Sequence, residues 1–487
     1  MKVQLVFAPA LTRSNFSSVL ESAAPPLGIL YLASYLRTAA PEVELSAVDG
    51  FMLGMEQTLA NIRSFGPDLL CVSFYTGSAC GAYALINQVK SEYPEIQVFA
   101  GGPHASALPE DVFTNSRTDV VVRGEGEKPL VVLVRHLLAG QELDSELLSG
   151  IPNIAYLDRQ NCLQVNPATA FVQELDSIPF PAWDLLPIQR YRGYFLSRQT
   201  PELSVLFSRG CPHDCVFCPN EHWNLVKPKI RFRSPKNIVD EIEELVRSYG
   251  IREVLNLADE FNNHPVLAPE ICNEIKKRKV GITWKTMLRP DHVPESLARS
   301  MAESGCWLVS LGIETGNSET LNGIRKHFTH EQVEQVCRNL KKYGIKVQGY
   351  FMLYNAWEEN GALRFEDSRM SRQTIAYAER LFSQGLLDYM GWSVTVPYPG
   401  SELYNIANRH GLIPSAREGQ WDEWAQMGLF VLSYPGVDVL EQARVLRKAQ
   451  ILGTKAALFR NGIRIKDIPL MLGSAVETIR NEISSRI

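Results

Sequence analysis

At 487 residues with 45% apolar side chains, the chain is too long for one ordinary core and rich enough to fill two or three domains. Its net charge of -5 gives no global attraction to nucleic acid, and the short basic clusters at 227–233 and 276–279 read as solvated faces. No apolar run reaches the roughly 18 to 20 residues that span a bilayer, and residues 3–7 open on a strand pattern instead of a signal segment, so the expected compartment is the cytoplasm.

From residue 1 to about 145, short apolar runs alternate with helical patterns: VQLVFAP, PLGILYLASYLR, DLLCVSFY, ACGAYALINQVKSEY, IQVFAGG and DVVVRG. This alternation predicts an α/β fold with a doubly wound parallel sheet, Rossmann-like or flavodoxin-like, which binds ligands outside the carboxyl ends of its strands. Residues 146–198, rich in Pro and aromatics (IPFPAWDLLP), read as a linker packed over a domain interface. A second alternating series spans 199–400, with strands expected at 203–208, 253–259, 281–288, 307–314, 346–353 and 390–397. Helical patterns such as NIVDEIEELVRSYG and EQVEQVCRNLKKYG lie between them, so the six units predict a partial (β/α)6 barrel. Residues 401–487 read as a C-terminal helical cap ending in an amphipathic stretch.

Nine cysteines in a large acidic chain argue against a disulfide framework, and only Cys211, Cys215 and Cys218 cluster. Their segment, FSRGCPHDCVFCPN, follows the first strand of the second series, where a parallel barrel presents its catalytic loops. Three thiolates on one bent loop can hold three corners of a four-iron four-sulfur cube and leave the fourth iron open. A structural zinc ion would instead need His213 or His222 as a fourth ligand. Cys71, Cys80, Cys162, Cys272, Cys306 and Cys337 are scattered and read as small hydrophobes.

With an aromatic, Phe217, before the third cysteine, the triad resembles the signature of the radical S-adenosylmethionine (SAM) superfamily. The resemblance implies that Asp259 and Glu260 in LADEF meet the SAM amine. It also implies that Glu314 in LGIETG meets its ribose or carboxylate, and that the segment 394–397, with Val394 and Pro397, lines the adenine. Independently, a cationic sulfonium and ammonium need nearby carboxylates, and adenine needs an apolar shelf. The segments PPLGILYLASYL, SFYTGS, AGGPHAS and VVRGEGE resemble the cobalamin-binding domain that precedes the barrel in one branch of that superfamily. By this resemblance Ser73, Tyr75, Thr76, Gly101, Gly102, His104 and Glu125 contact cobalamin. The glycine pair would admit a bulky ligand, and His104 would hydrogen bond its tail. The DxHxxG motif that supplies a cobalt-ligating histidine elsewhere is absent, which leaves Tyr75 or Thr76 for the lower face of the corrin. Where relatives carry G-x-P-G-E after the fifth strand, this chain has YNAWEENGALRFEDSRMS, so Trp357, Glu358 and Glu359 are candidates for substrate contact or for an ordinary exposed insertion.

The resemblance implies a C-methyltransferase that works through a 5'-deoxyadenosyl radical and methylcobalamin, fed by a reductant such as flavodoxin or ferredoxin. Its substrate would be a small molecule, a lipid or a peptide. Cyclisation, ring contraction or oxidation with the same cofactors, a cobalamin-free radical enzyme, and a noncatalytic cobalamin carrier are the alternatives.

Overall fold

Strands of the first domain are apolar on both faces, the pattern of a parallel sheet covered by helices on two sides. In the computed structural model, which describes residues 1–11, 24–191, 193, 196–219, 228–424 and 429–461, β1 (Lys2–Phe7), β2 (Glu44–Asp49), β3 (Leu69–Ser73), β4 (Gln97–Gly101) and β5 (Val120–Val122) pair in parallel in the order β2-β1-β3-β4-β5. Because β2 and β3 lie on opposite sides of β1, the winding reverses there, and a crevice opens above the carboxyl ends of β1 and β3.

The sheet continues past residue 145. β6 (Ile154–Leu157) and β7 (Leu163–Val165) extend its edge in antiparallel sense, which corrects the linker expected from residue 146. The apolar run is short and flanked by turn residues, so its strand character shows only once β5 is beside it. Buried Asn153 secures the corner, its Oδ1 accepting the N–H groups of Thr169 and Ala170 at 2.8 Å. The remaining stretch does join the two domains: Ala182 N donates to Leu30 O at 3.1 Å, and Asp176 Oδ1 accepts from Ser234 N at 2.9 Å.

In the second domain β8 (Glu202–Val205) is followed by a short antiparallel pair, β9 (Ser208–Arg209) and β10 (Arg231–Phe232). The parallel series resumes with β11 (Glu253–Asn256), β12 (Thr283–Leu288), β13 (Cys306–Glu314) and β14 (Lys346–Leu353). After a hairpin, β15 (Ala356–Glu359) and β16 (Ala362–Phe365), comes β17 (Tyr389–Val394). The parallel strands run β8-β11-β12-β13-β14-β17, an open six-stranded sheet with β8 and β17 at its edges, as a partial barrel requires. Local signals set the helices between them. The helix Pro235–Tyr249 starts where Ser234 Oγ accepts Asn237 N at 3.2 Å and stops at Gly250 in the left-handed region, φ +65°.

The β15–β16 hairpin occupies the segment proposed as a substrate contact, and its side chains are committed elsewhere. Trp357 is buried so tightly on Gly323 that a Cβ there would lie 2.3 Å from the indole. Glu358 pairs with Arg409 and His410, both at 3.0 Å, and Glu359 with Arg364 at 3.1 Å. The C-terminal region is also more than a cap on the barrel. After the helix Glu402–Arg409, the short helix Trp421–Trp424 reaches back to the first domain: Trp421 Nε1 donates to Asp111 Oδ2 at 2.9 Å, and Asp422 accepts from Leu11 N at 2.8 Å and Cys80 N at 3.0 Å. The helix Val439–Asn461 packs on β17. The expected terminal amphipathic stretch lies outside the described residues. Among the described residues no helix is long and apolar enough to cross a membrane.

Candidate active site

The cysteine loop begins where β9 and β10 close on each other. Gly210 has φ +88°, and a Cβ on it would lie 2.1 Å from Lys229 O, so only glycine lets the chain turn from β9 into Cys211. Further on, Cys218 N donates to Cys215 O at 3.0 Å, Val216 N to Ile324 O at 3.2 Å, and Leu403 N to Val216 O at 2.9 Å. The loop is thus held from beneath by the segment after β13 and by the start of the helix Glu402–Arg409. All three thiols are free; Cys211 is buried, and Cys215 and Cys218 are partly exposed. Burial, with a smaller push from Glu260, raises the Cys211 thiol to about 12, and burial beside Cys215 raises Cys218 as well. Such thiols ionise only when a metal displaces their protons.

The surroundings fit a cluster rather than one ion. Among the described residues no three His, Cys, Asp or Glu side chains converge on a single-ion site. His213 Nε2 lies 3.2 Å from Glu260 Oε2, while His222 lies outside the described residues. Cations compensate the thiolates: Arg289 Nη1 is 3.9 Å from Cys215 Sγ, and Lys326 Nζ lies 5.7 Å from the Phe217 ring centroid.

Beside this loop the ends of β11 to β13 bring polar groups together. Burial, then the neighbouring Glu260, pushes the Asp259 carboxyl up to about 6. Glu260 Oε2 is buried and accepts no well-directed hydrogen bond despite its proximity to His213. Glu314 has left-handed backbone, φ +67°, at an irregularity ending β13, and its Oε1 is 3.1 Å from Lys326 Nζ. A non-glycine residue held there is backbone strain of the kind that marks functional sites. Val394 ends β17 and Pro397 follows it, and both are buried.

Sequence reasoning missed Arg289. Its Nε is 2.6 Å from Asp291, its guanidinium lies 5.4 Å from the Phe328 ring centroid, and its buried Nη2 has no hydrogen-bond partner. Its signal was a charged residue directly after an apolar barrel strand, in MLRP.

A cavity of about 650 Å³ joins the two domains. Ser73, Tyr75, Gly101, Gly102 and Glu125 border it from the first sheet, and Gly210 and Asp259 from the barrel. Tyr75 is 59% exposed, and its phenol pKa is nonetheless raised by burial, because its exposure is to the cavity and not to the outer surface. At the end of β4 the chain passes so close to β3 that a Cβ on Gly102 would lie 2.5 Å from Phe74 O.

Thr76 and His104 do not border the cavity; they are buried behind it, with His104 Nδ1 3.2 Å from Thr76 Oγ1 and Nε2 3.2 Å from Asp111 Oδ2. Asp111 also accepts from Tyr83 OH at 2.6 Å, so the histidine belongs to a network that fixes the loop carrying Tyr75. Glu125 does border the cavity, but its carboxylate is engaged by Arg231.

Residues 17–134 match the B12 binding domain family, and residues 205–360 match the Radical SAM superfamily. The chain is 29% identical to an uncharacterised methyltransferase of Pyrococcus horikoshii over 96% of this chain and 95% of that protein. It is 28% identical to the anaerobic magnesium-protoporphyrin IX monomethyl ester cyclase of Rubrivivax gelatinosus over 78% of this chain and 66% of that protein. In fold it is similar to the radical SAM methyltransferase TsrM of Kitasatospora setae, solved with tryptophan and a SAM analogue, with TM-score 0.70 at 18% identity over 100% of this chain and 98% of that one.

Proposed function

The chain belongs to the cobalamin-dependent radical SAM enzymes, whose cofactors are a 4Fe-4S cluster, SAM and cobalamin, and we propose that it transfers a methyl group to a carbon of its substrate. The observation that carries this reading is the single cavity bordered by Tyr75 and Gly102 on one side and by Gly210 and Asp259, next to the cysteine loop, on the other. A radical source and a methyl source can face one substrate only across such a shared space. When bound, the cluster supplies the electron that cleaves SAM to a carbon radical, and cobalamin supplies the methyl group.

Cys211, Cys215 and Cys218 hold the cluster. Asp259 and Glu260 take the SAM ammonium, and the unpartnered Nη2 of Arg289 takes its carboxylate, a charge-assisted bond that would satisfy a buried donor. Glu314, oriented by Lys326, faces the ribose, and Val394 with Pro397 shelters the adenine. Tyr75, Ser73, Gly101 and Gly102, which line the cavity, would contact cobalamin, the two glycines leaving room for a bulky ring. A flavodoxin or ferredoxin supplies electrons, and the acceptor is a small molecule, lipid or peptide. Replacing Arg289 with Met is expected to raise the Kd for SAM roughly 10- to 100-fold, as loss of a charged hydrogen bond does, while iron content stays unchanged. Equilibrium dialysis with labelled SAM checks this.

A second reading keeps the cofactors without methyl transfer, because a cyclase is among the relatives at 28% identity. SAM carrying an isotope-labelled methyl group separates the two: the methyltransferase reading expects the label in product. Unlabelled product after turnover would overturn it.

A further inference from the structure

Three buried charged side chains, Glu125, Glu127 and Arg231, and a fourth that is mostly buried, Arg209, gather where the two domains meet. Glu125 and Glu127, just after β5, are only 6% and 4% exposed. Both partners come from the barrel. Arg209, which ends β9, places Nη1 2.7 Å from Glu127 Oε1 and 3.6 Å from Glu125 Oε2. Arg231, which starts β10, places Nη1 3.0 Å from Glu125 Oε2 and Nη2 against Glu125 Oε1, a two-pronged contact. The Arg209 guanidinium also lies 4.9 Å from the centroid of Tyr31 on the helix Leu27–Ala39.

Stability alone does not explain this arrangement, since apolar residues of similar volume commonly serve a buried interface at least as well as ion pairs. What a forked guanidinium adds is direction: its donors meet a carboxylate in one plane and one register. The register matters here because Arg209 is followed at once by Gly210 and Cys211, and because Glu125, Glu127, Arg209 and Gly210 all border the cavity. Gly210 transmits position rather than slack, for its backbone is pressed against Lys229 O. The route from the wall of the first domain to the first cysteine is therefore Glu127, Arg209, Gly210, Cys211.

We infer that the Glu127–Arg209 and Glu125–Arg231 pairs form a positioning clasp that fixes the cavity wall of the first domain relative to the cysteine loop. None of the four is a catalytic residue. The clasp sets the separation and angle between cobalamin and cluster, and its chemical meaning rests on both groups binding as proposed above.

The full chain is prepared as wild type, Glu127→Gln, Arg209→Met and Arg209→Lys. First, amide exchange is followed without cofactors over residues 208–218. Release of the clasp is expected to speed exchange roughly tenfold there in Glu127→Gln and Arg209→Met, with partial recovery in Arg209→Lys. Second, after loading, the dipolar coupling between cob(II)alamin and the one-electron-reduced cluster is measured by pulsed electron paramagnetic resonance. Wild type is expected to give one narrow distance, and the variants a broadened or shifted one at unchanged cofactor content. Wild-type exchange in the two charge-removed variants, or a coupling identical to wild type with both centres bound, overturns the clasp. Failure of the wild type itself to bind cobalamin overturns the cofactor placement instead, and the exchange experiment still decides whether the charge pairs hold the loop.

Discussion

Cys215→Ala is expected to abolish reductive SAM cleavage, lowering it at least about a thousandfold, and to leave cobalamin uptake unchanged. Cys215 occupies the middle of the loop, its thiol 3.8 Å from Arg325 O and 3.9 Å from Arg289 Nη1. Without its sulfur one more iron corner loses its ligand, and two cysteines do not retain the cube. No member of the triad borders the cavity, so the substitution leaves the cavity walls in place. The measurement is 5'-deoxyadenosine formed under anaerobic reduction, set beside iron, sulfide and bound corrinoid. Retained cleavage in this variant, or in the matching Cys211 or Cys218 variants, would remove the basis for the site.

Gly102→Val is expected to produce the reciprocal defect: cobalamin affinity falling at least about a hundredfold while the cluster and SAM cleavage persist. Gly102 has φ +96°, and a side chain placed there would meet Phe74 O at 2.5 Å, Phe74 N at 2.9 Å and Ser73 Oγ at 3.0 Å. The left-handed backbone alone strains a β-branched residue by about 1 to 3 kcal/mol. Relief comes only by moving the segment 73–75, and Ser73 and Tyr75 are walls of the cavity. Gly102 is far in the chain from the cysteine loop and lies on a different sheet, so cluster assembly serves as the control for folding. Titration of corrinoid absorbance against the variant tests this, and wild-type binding would show that β4 does not shape the site.

These two variants divide the molecule as the sequence does, because both features are local. A cysteine triad on one loop and a glycine pair after an apolar strand are set by residues a few positions apart, and neighbours in sequence stay neighbours in space. The strands were legible for a related reason: a parallel strand buried on both faces is a continuous apolar run, as in β3 and β5. β6 was obscured because it is a strand of only four residues, one in from the sheet's edge, whose identity depends on pairing with β5 and β7. Trp357 and Glu358 looked available in the sequence, and the partners that occupy them, Gly323, Arg409 and His410, are more than 30 residues away.

The same division applies to the site. By itself the sequence determined the alternating α/β architecture, the clustering of Cys211, Cys215 and Cys218 on one loop, and the strand ends carrying Asp259, Glu260 and Glu314. Spacing and periodicity encode those directly. Only the tertiary structure decided which polar groups remain available for ligands. It committed His104 to Asp111 and Glu125 to Arg231, left Arg289 Nη2 without a partner, and placed Gly210 and Asp259 on the same cavity as Tyr75. A buried polar group must find a partner, and whether that partner is protein or ligand depends on chain segments brought together by folding, across 106 residues for Glu125 and Arg231.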